Sequence, residues 1–288
     1  MNDAPVLLSV RNLAVHYPIR RKDAGFFDRP EVLKAVDDVS FDLKAGETLG
    51  IVGESGCGKS TLARAIIRMV PAKDGQVLWM GQDLLKLNRS GMQARRKDIQ
   101  MIFQDPLAAL NPRMTAGNII SEPLKTHMPH LSKSDMRDMV VAMLEKVGMG
   151  GEHINRYPHE FSGGQCQRIG IARALITNPK LIVCDEPVSA LDVSVQAQVV
   201  NLLMQLQKEL GLSLLFIAHD LSVVKHISNR IMVLYFGKIA ELGEARQVIE
   251  NPQHDYTRKL ISSVPIPDPT VEIERREARR AQRRLDAR

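Results

Sequence analysis

Apolar residues recur at strand-like spacing over residues 7–17, with Leu8, Val10, Leu13 and Val15 buried candidates, and again over 36–43 with Val39, Phe41 and Leu43. Both stretches predict strands with one covered face. Residues 20–30 between them are polar and punctuated by Gly25 and Pro30, which predicts a loop. After a turn at Gly46-Glu47, the apolar run 48–52 predicts a strand. Leu62, Ala65, Ile66 and Met69 then fall on one helical face and predict a helix over 62–70. Further strands are predicted over 76–80 and 99–103.

From Pro106 to Glu160 strand signals stop and methionine accumulates, at 114, 128, 136, 139, 143 and 149. Residues 132–148 predict one amphipathic helix, with Ser132 or Ser134 as cap and Gly148 as stop. This region is a helical insertion in an α/β core. Its methionines are read mainly as core filling; a partner surface is the other reading, since Met packs adaptably. Beyond it, Ile169, Ala172, Leu175 and Ile176 mark a helix that Asn178-Pro179 ends. A buried strand follows at 181–184, then a helix over 193–210, a strand over 213–218, a helix over 222–227, a strand over 231–236 and a short edge segment over 237–242. Strands alternating with helices on both sides of the insertion favour a largely parallel sheet. A short helix near 255–262 leads to a linker carrying Pro265, Pro267 and Pro269, and then to a charged tail.

Length and composition add bounds. At 288 residues the chain can bury a full core. No apolar run approaches the ~20 residues that span a bilayer. The N-terminus lacks a basic-then-apolar signal segment, which predicts a chain that is not exported. The three cysteines, Cys57, Cys166 and Cys184, are far apart, which fits a reducing compartment and neither a zinc site nor a disulfide framework. The net charge is +6, of which the Arg-rich residues 271–288 supply +3. Such a tail can face anionic lipid or solvent, and nucleic-acid binding is not required.

Candidate chemistry begins with Gly53-Glu54-Ser55-Gly56-Cys57-Gly58-Lys59-Ser60, which fits GxxxxGK[ST] between a strand and a helix. Its backbone N–H groups would wrap phosphate oxygens, Lys59 would reach the β- and γ-phosphates, Ser60 would bind Mg²⁺, and Thr61 would add a phosphate contact. Cys57 is read as a small tolerated residue. Asp185 closes the strand 181–184, the position from which a carboxylate completes a Mg²⁺ shell through water. Glu186, one residue on, projects differently and is the candidate general base. His219 ends another strand, where ligands of parallel sheets bind, and is the candidate γ-phosphate contact. Gln104 follows the strand 99–103 at the entry to the helical insertion, a place for a sensor of Mg²⁺ and γ-phosphate. Ser162-Gly163-Gly164-Gln165 opens a helix with free N–H groups, which attracts anions. Tyr17 has two readings: a β-surface aromatic, or a ring stacked on adenine.

The order of these elements resembles ATP-binding-cassette (ABC) ATPases. The phosphate loop, Gln104, Phe161-Ser162-Gly163-Gly164-Gln165, Asp185-Glu186, Ser189-Ala190-Leu191-Asp192 and His219 carry that resemblance over roughly residues 7–269. It implies an α/β P-loop NTPase fold: a mostly parallel core sheet, an N-terminal antiparallel β subdomain, and a helical subdomain inserted at about 105–160. The cassette would span 5–250, followed by a C-terminal extension over 251–270 and the tail over 271–288. The resemblance also implies that two such domains dimerise head to tail. Ser162, Gly163, Gly164 and Gln165 would then contact the γ-phosphate held by the partner's phosphate loop, and Asp192 would cross the interface.

A narrower resemblance rests on the 20–30 insertion, on Phe161 before the SGGQ stretch, and on Asn251-Pro252-Gln253-His254-Asp255-Tyr256-Thr257-Arg258 leading to Ser263-Val264-Pro265. It is to dipeptide/oligopeptide importer ATPases, most of all the F-type subunit. The implied activity is hydrolysis of ATP with Mg²⁺ to power peptide import, at the cytoplasmic face of the inner membrane. The implied partners are a D-type ATPase (or a second copy), two membrane permeases and, indirectly, an extracytoplasmic solute-binding protein. The cargo stays open among peptides, nickel, glutathione and antimicrobial peptides. Outside transport, a soluble ABC ATPase and a non-hydrolysing nucleotide-responsive regulator are the competing readings. Two departures stand out. Cys166 replaces an Arg common after SGGQ, which is expected to remove a charge near the interface. No Cys follows Cys184, so no C-terminal iron–sulfur cluster is expected.

Overall fold

A computed structural model describes residues 4–19 and 31–263. The predicted loop at 20–30, the Pro-rich linker and the Arg-rich tail lie outside the described residues.

Two sheets form the frame. Four strands make an antiparallel sheet in the order β2-β1-β4-β5, where β1 is Val6–Ile19, β2 Glu31–Lys44, β4 Asp74–Trp79 and β5 Gln82–Asp83. Six strands make the second sheet, in the order β10-β9-β3-β8-β7-β6. Here β3 is Thr48–Val52, β6 Ile99–Ile102, β7 Leu181–Asp185, β8 Ser213–Ile217, β9 Arg230–Tyr235 and β10 Lys238–Glu244. The first five of these run parallel, and β10 pairs antiparallel at the edge. This is the expected fold class, a mostly parallel core sheet beside an antiparallel β subdomain, with helices inserted.

The continuous apolar runs of β7 and β8 have a structural cause, because the core sheet is covered on both faces. Leu181, Val183, Leu215 and Ile217 enter one core with the antiparallel sheet and helix α1 (Lys59–Ile66). Ile182, Cys184, Leu214 and Phe216 enter the other. That second core is closed by α6 (Gly163–Leu175), α7 (Val193–Leu210) and α8 (Leu221–Ile227), together with the inserted helices. Four of the inserted helices' methionines, Met114, Met128, Met136 and Met139, pack half-buried against it, and Met143 and Met149 are buried, in keeping with core filling.

Several boundaries differ from expectation. The helix predicted at 62–70 runs instead over Lys59–Ile66. Its first turn is polar because it faces the site, so the apolar period starts late. It stops early because Arg68 adopts a left-handed φ of 55°, and Met69 is left half exposed. The insertion holds more than one helix. Besides α5 (Lys133–Lys146), capped by Ser132 and Asp135 in a reciprocal box, it contains α3 (Pro106–Ala109) and α4 (Ala116–His127). Pro123 inside α4 and Gly117 in its first turn disguise that helix in the sequence. Also unforeseen are α2 (Arg89–Arg95) and α9 (Ala245–Glu250). The C-terminal helix α10 spans Asp255–Ser263. Among the described residues, no helix is long and apolar enough to cross a membrane.

Phe216 is fully buried on the central strand β8. Phe216→Ala is expected to lower unfolding free energy by about 3–5 kcal/mol, read from urea denaturation, through lost burial and a residual cavity.

Candidate functional site

The parallel register sets the site. Ile51 of β3 and Asp185 of β7 both pair with Ile217 of β8, and Ile102 of β6 pairs with Cys184. The four strands therefore end at one level. Gly53, Gln104, Glu186 and His219 emerge within two residues of it, on the carboxyl edge where α/β sheets bind ligands.

The phosphate loop leaves β3 and enters α1 through a narrow gap. Gly58 has φ 106°, and a Cβ there would strike the Ala35 carbonyl of β2. A Cβ on Gly53, at φ 151°, would strike the Leu234 carbonyl of β9. Only glycine fits either position. Lys59 is buried, and its ammonium donates to the carbonyls of Gly53 (2.8 Å) and Glu54 (2.9 Å). Helix α1 carries no side-chain cap, so its first-turn N–H groups are not taken by one. A lysine ammonium and uncapped N–H groups in one turn form an anion cradle. Burial pushes the Cys57 thiol up from its ordinary value, so it stays protonated and acts as filling.

The two carboxylates diverge as expected. Asp185 has no solvent exposure; it accepts from Ser60 Oγ at 2.6 Å and from Arg64 Nη2 at 3.2 Å. Glu186 adopts a left-handed φ of 48°, strained for a side-chain-bearing residue by about 1–3 kcal/mol. It is tied on both sides. Its N–H donates to Ile217 O at 3.1 Å, and its carbonyl accepts from Ser189 Oγ at 3.1 Å. That backbone turn aims the side chain at Gln104, whose Nε2 donates to Glu186 Oε2 at 3.0 Å. His219 Nδ1 lies 3.9 Å from the same oxygen. Gln104, Glu186 and His219 are thus brought together beside the Asp185–Ser60 pair.

Other predicted residues stand apart. Ser162 caps α6 in a reciprocal box with Gln165, using Ser162 Oγ and Gln165 Oε1. Gly163 and Gly164 precede any intrahelical acceptor, so their N–H groups remain to be satisfied. Ser162 and Gly163 are exposed, and among the described residues no hydrogen bond or ion pair joins Ser162, Gly163, Gly164 or Gln165 to the phosphate loop. Asp192 is exposed at the start of α7 with no side-chain cap bond, and Val193 beside it is 82% exposed. Tyr17 is half-buried on β1 and pairs with Leu33, two residues before the Ala35 carbonyl that faces Gly58. Cys166 is wholly buried, its thiol donating to the Pro158 carbonyl.

Sequence reasoning overlooked Arg64, although it follows Ser60 by one helical turn and so shares its face. Tyr256 enters the sequence reading only through the C-terminal resemblance, because its contact to the loop has no local signal.

Residues 36–189 match the ABC transporter family model, and residues 240–287 match the oligopeptide/dipeptide transporter C-terminal region. The chain belongs to the ABC transporter family. It is 64% identical to the oligopeptide transport ATP-binding protein OppF of Salmonella typhimurium, covering 93% of this chain and 80% of that one. It is 62% identical to OppF of Haemophilus influenzae, over 94% and 82% of the two chains. The fold matches a solved dimeric ATP-binding cassette in a post-hydrolysis state bound to ADP and Pi. That match has TM-score 0.73 and 29% identity, over 83% of this chain and 99% of that one. This ABC cassette is an ATPase that binds ATP.

Gly58→Ala places a Cβ against the Ala35 carbonyl at a left-handed φ. The variant is expected to lose ATP binding by at least about tenfold and to melt several degrees lower. Titration with a fluorescent ATP analogue and a thermal melt check this.

Proposed function

We propose that this cassette powers oligopeptide import by closing, with a second ATPase subunit, over two ATP molecules. The observation that carries the reading is the convergence of Gln104 and His219 on one carboxylate oxygen of Glu186, beside an anion cradle and a buried Asp185. Relatives named for oligopeptide transport, at 62–64% identity over most of both chains, support the cargo.

In this reading Gly53, Glu54, Ser55, Gly56, Cys57, Gly58, Lys59, Ser60 and Thr61 form the loop that holds the phosphates, and Tyr17 stacks on adenine. Glu186 accepts a proton from water as the water oxygen bonds to the γ-phosphorus and the bond to the β,γ-bridging oxygen breaks. His219 contacts the γ-phosphate and holds that water. Gln104 restrains Glu186 before closure.

The donor set near Ser60 suits Mg²⁺. It is all oxygen, the hydroxyl itself and the Asp185 carboxylate 2.6 Å away, and Gln104, which leaves the neighbouring strand β6, would bring its amide oxygen. Among the described residues no group of three His, Cys, Asp or Glu forms a cage, and Mg²⁺ is usually held by one or two carboxylates with substrate phosphates. Bound there, the ion would neutralise phosphate charge.

The second subunit, a D-type paralogue or another copy, would present its own SGGQ helix start to this nucleotide. Ser162, Gly163, Gly164 and Gln165 would serve the partner's, and Asp192 would reach across. A cleft of about 800 Å³ lies beside Gln104, lined also by Phe103, Asp105, Ala108, Pro123 and Arg173. It joins the sheet edge to the helical insertion and is the proposed seat of a permease segment. Through the permeases the cassette would sit at the cytoplasmic membrane face, served by an extracytoplasmic binding protein.

Glu186→Gln is expected to bind ATP, to accumulate a closed dimer on size exclusion, and to lose at least about 100-fold in turnover. Turnover near the wild-type rate would remove Glu186 as the base. Lys59→Ala is expected to lose nucleotide affinity; unchanged affinity would remove the loop from the site.

A further inference from the structure

The C-terminal extension reaches back to the phosphate loop. Tyr256, on α10, is buried, and its phenol oxygen accepts a hydrogen bond from the Glu54 N–H at 3.0 Å across 202 positions of chain. That N–H shares a peptide unit with the Gly53 carbonyl, which accepts from Lys59 Nζ at 2.8 Å. One peptide plane at the loop's entrance is therefore held at both ends. Rotating it would break both bonds.

The rest of the extension is arranged to keep Tyr256 in place. Its ring lies on Tyr235, at the end of β9, with centroids 4.0 Å apart. Glu241 of β10 accepts from the N–H groups of Gln253 (2.9 Å) and His254 (3.0 Å), just before α10. Burial opposes the charged form of Glu241, but those amide bonds hold its carboxyl below the ordinary value. Arg258 donates to the carbonyls of Pro252 and Gln253 and to Asp255 Oδ1, which ties the turn to the helix. Burial pushes the Tyr256 phenol up, so it remains a neutral hydroxyl at physiological pH.

We propose that Tyr256 is a positioning residue for nucleotide binding, which orients the Gly53–Glu54 peptide so that the phosphate loop is pre-set to receive ATP. The proposal rests on the reading that residues 53–61 hold the phosphates. A loop already in its bound shape does not charge its ordering entropy to the ligand. Glu186, Gln104 and His219 stand on other elements, so hydrolysis of bound ATP is independent of the phenol. The effect belongs in affinity and KM, not in kcat.

Tyr256→Phe removes the acceptor oxygen and keeps the ring on Tyr235. In the full chain, MgATP dissociation constants are expected to rise about three- to tenfold, the net worth of one hydrogen bond that no longer pre-sets the loop before ATP arrives. In the assembled transporter KM should rise by a similar factor, with kcat within about twofold and the nucleotide-free melting temperature lowered by no more than about 4 °C, the loss of one hydrogen bond. Unchanged affinity and KM would overturn the proposal. So would a loss of kcat in step with a lowered melting temperature, which marks a merely structural residue. Lys59→Ala separates the two readings. Lost ATP binding in Lys59→Ala with normal binding in Tyr256→Phe defeats only the role of Tyr256. Normal binding in both defeats the phosphate-loop reading itself.

Discussion

Parallel pairing across β3, β8, β7 and β6 is the constraint from which the site follows. Each strand is pinned by neighbours in register, so their carboxyl ends cannot move independently. Burial on both faces locks that register, since a one-residue slip would exchange the two cores' side chains. The phosphate loop, the two carboxylates, Gln104 and His219 are then appended to a rigid edge. Chemistry that needs angstrom precision is supplied by short loops whose anchors are fixed.

Within that frame, strain and burial sort the charged groups. Asp185 is desolvated and would be costly alone; Ser60 and Arg64 offset this. Glu186, its neighbour, is turned away by a left-handed backbone held at both its N–H and its carbonyl. Adjacent carboxylates thereby receive different surroundings. The SGGQ helix start, by contrast, shows no hydrogen bond or ion pair to this loop. One protomer so displays a loop with carboxylates and, apart from it, a capped helix end with spare N–H groups, the two half-sites of the proposed dimer.

Much of this was legible in the sequence where one physical cause dominated. β3 and α7 were read with their observed bounds, because a two-sided buried strand is a short apolar run and α7 is long and periodic. The cap was legible to within two serines, Ser132 or Ser134, and the Gly148 stop outright, because capping is local chemistry; Ser132 is the one that caps. α4 was not, because Pro123 and Gly117 argue against a helix that tertiary packing stabilises. The first turn of α1 was missed because site residues replace its apolar period. The phosphate loop, Asp185, Glu186, Gln104 and His219 were singled out by spacing and flanking elements, whereas Asp192 and the role of Ser162–Gln165 in a partner's site rested on the family resemblance. Their mutual contacts, Gln104 to Glu186 across 82 positions and Glu54 to Tyr256 across 202, depend on topology and leave no local trace.

The central claim is that these half-sites complete each other between subunits. It is tested most directly by a cryo-electron microscopy structure of the assembled transporter, closed and loaded with MgATP. The account predicts Ser162 Oγ and the N–H groups of Gly163 and Gly164 within about 3 Å of the terminal phosphoryl group held by the opposite subunit's loop. A closed, loaded assembly in which Ser162 faces solvent, or touches the nucleotide of its own chain, would contradict it.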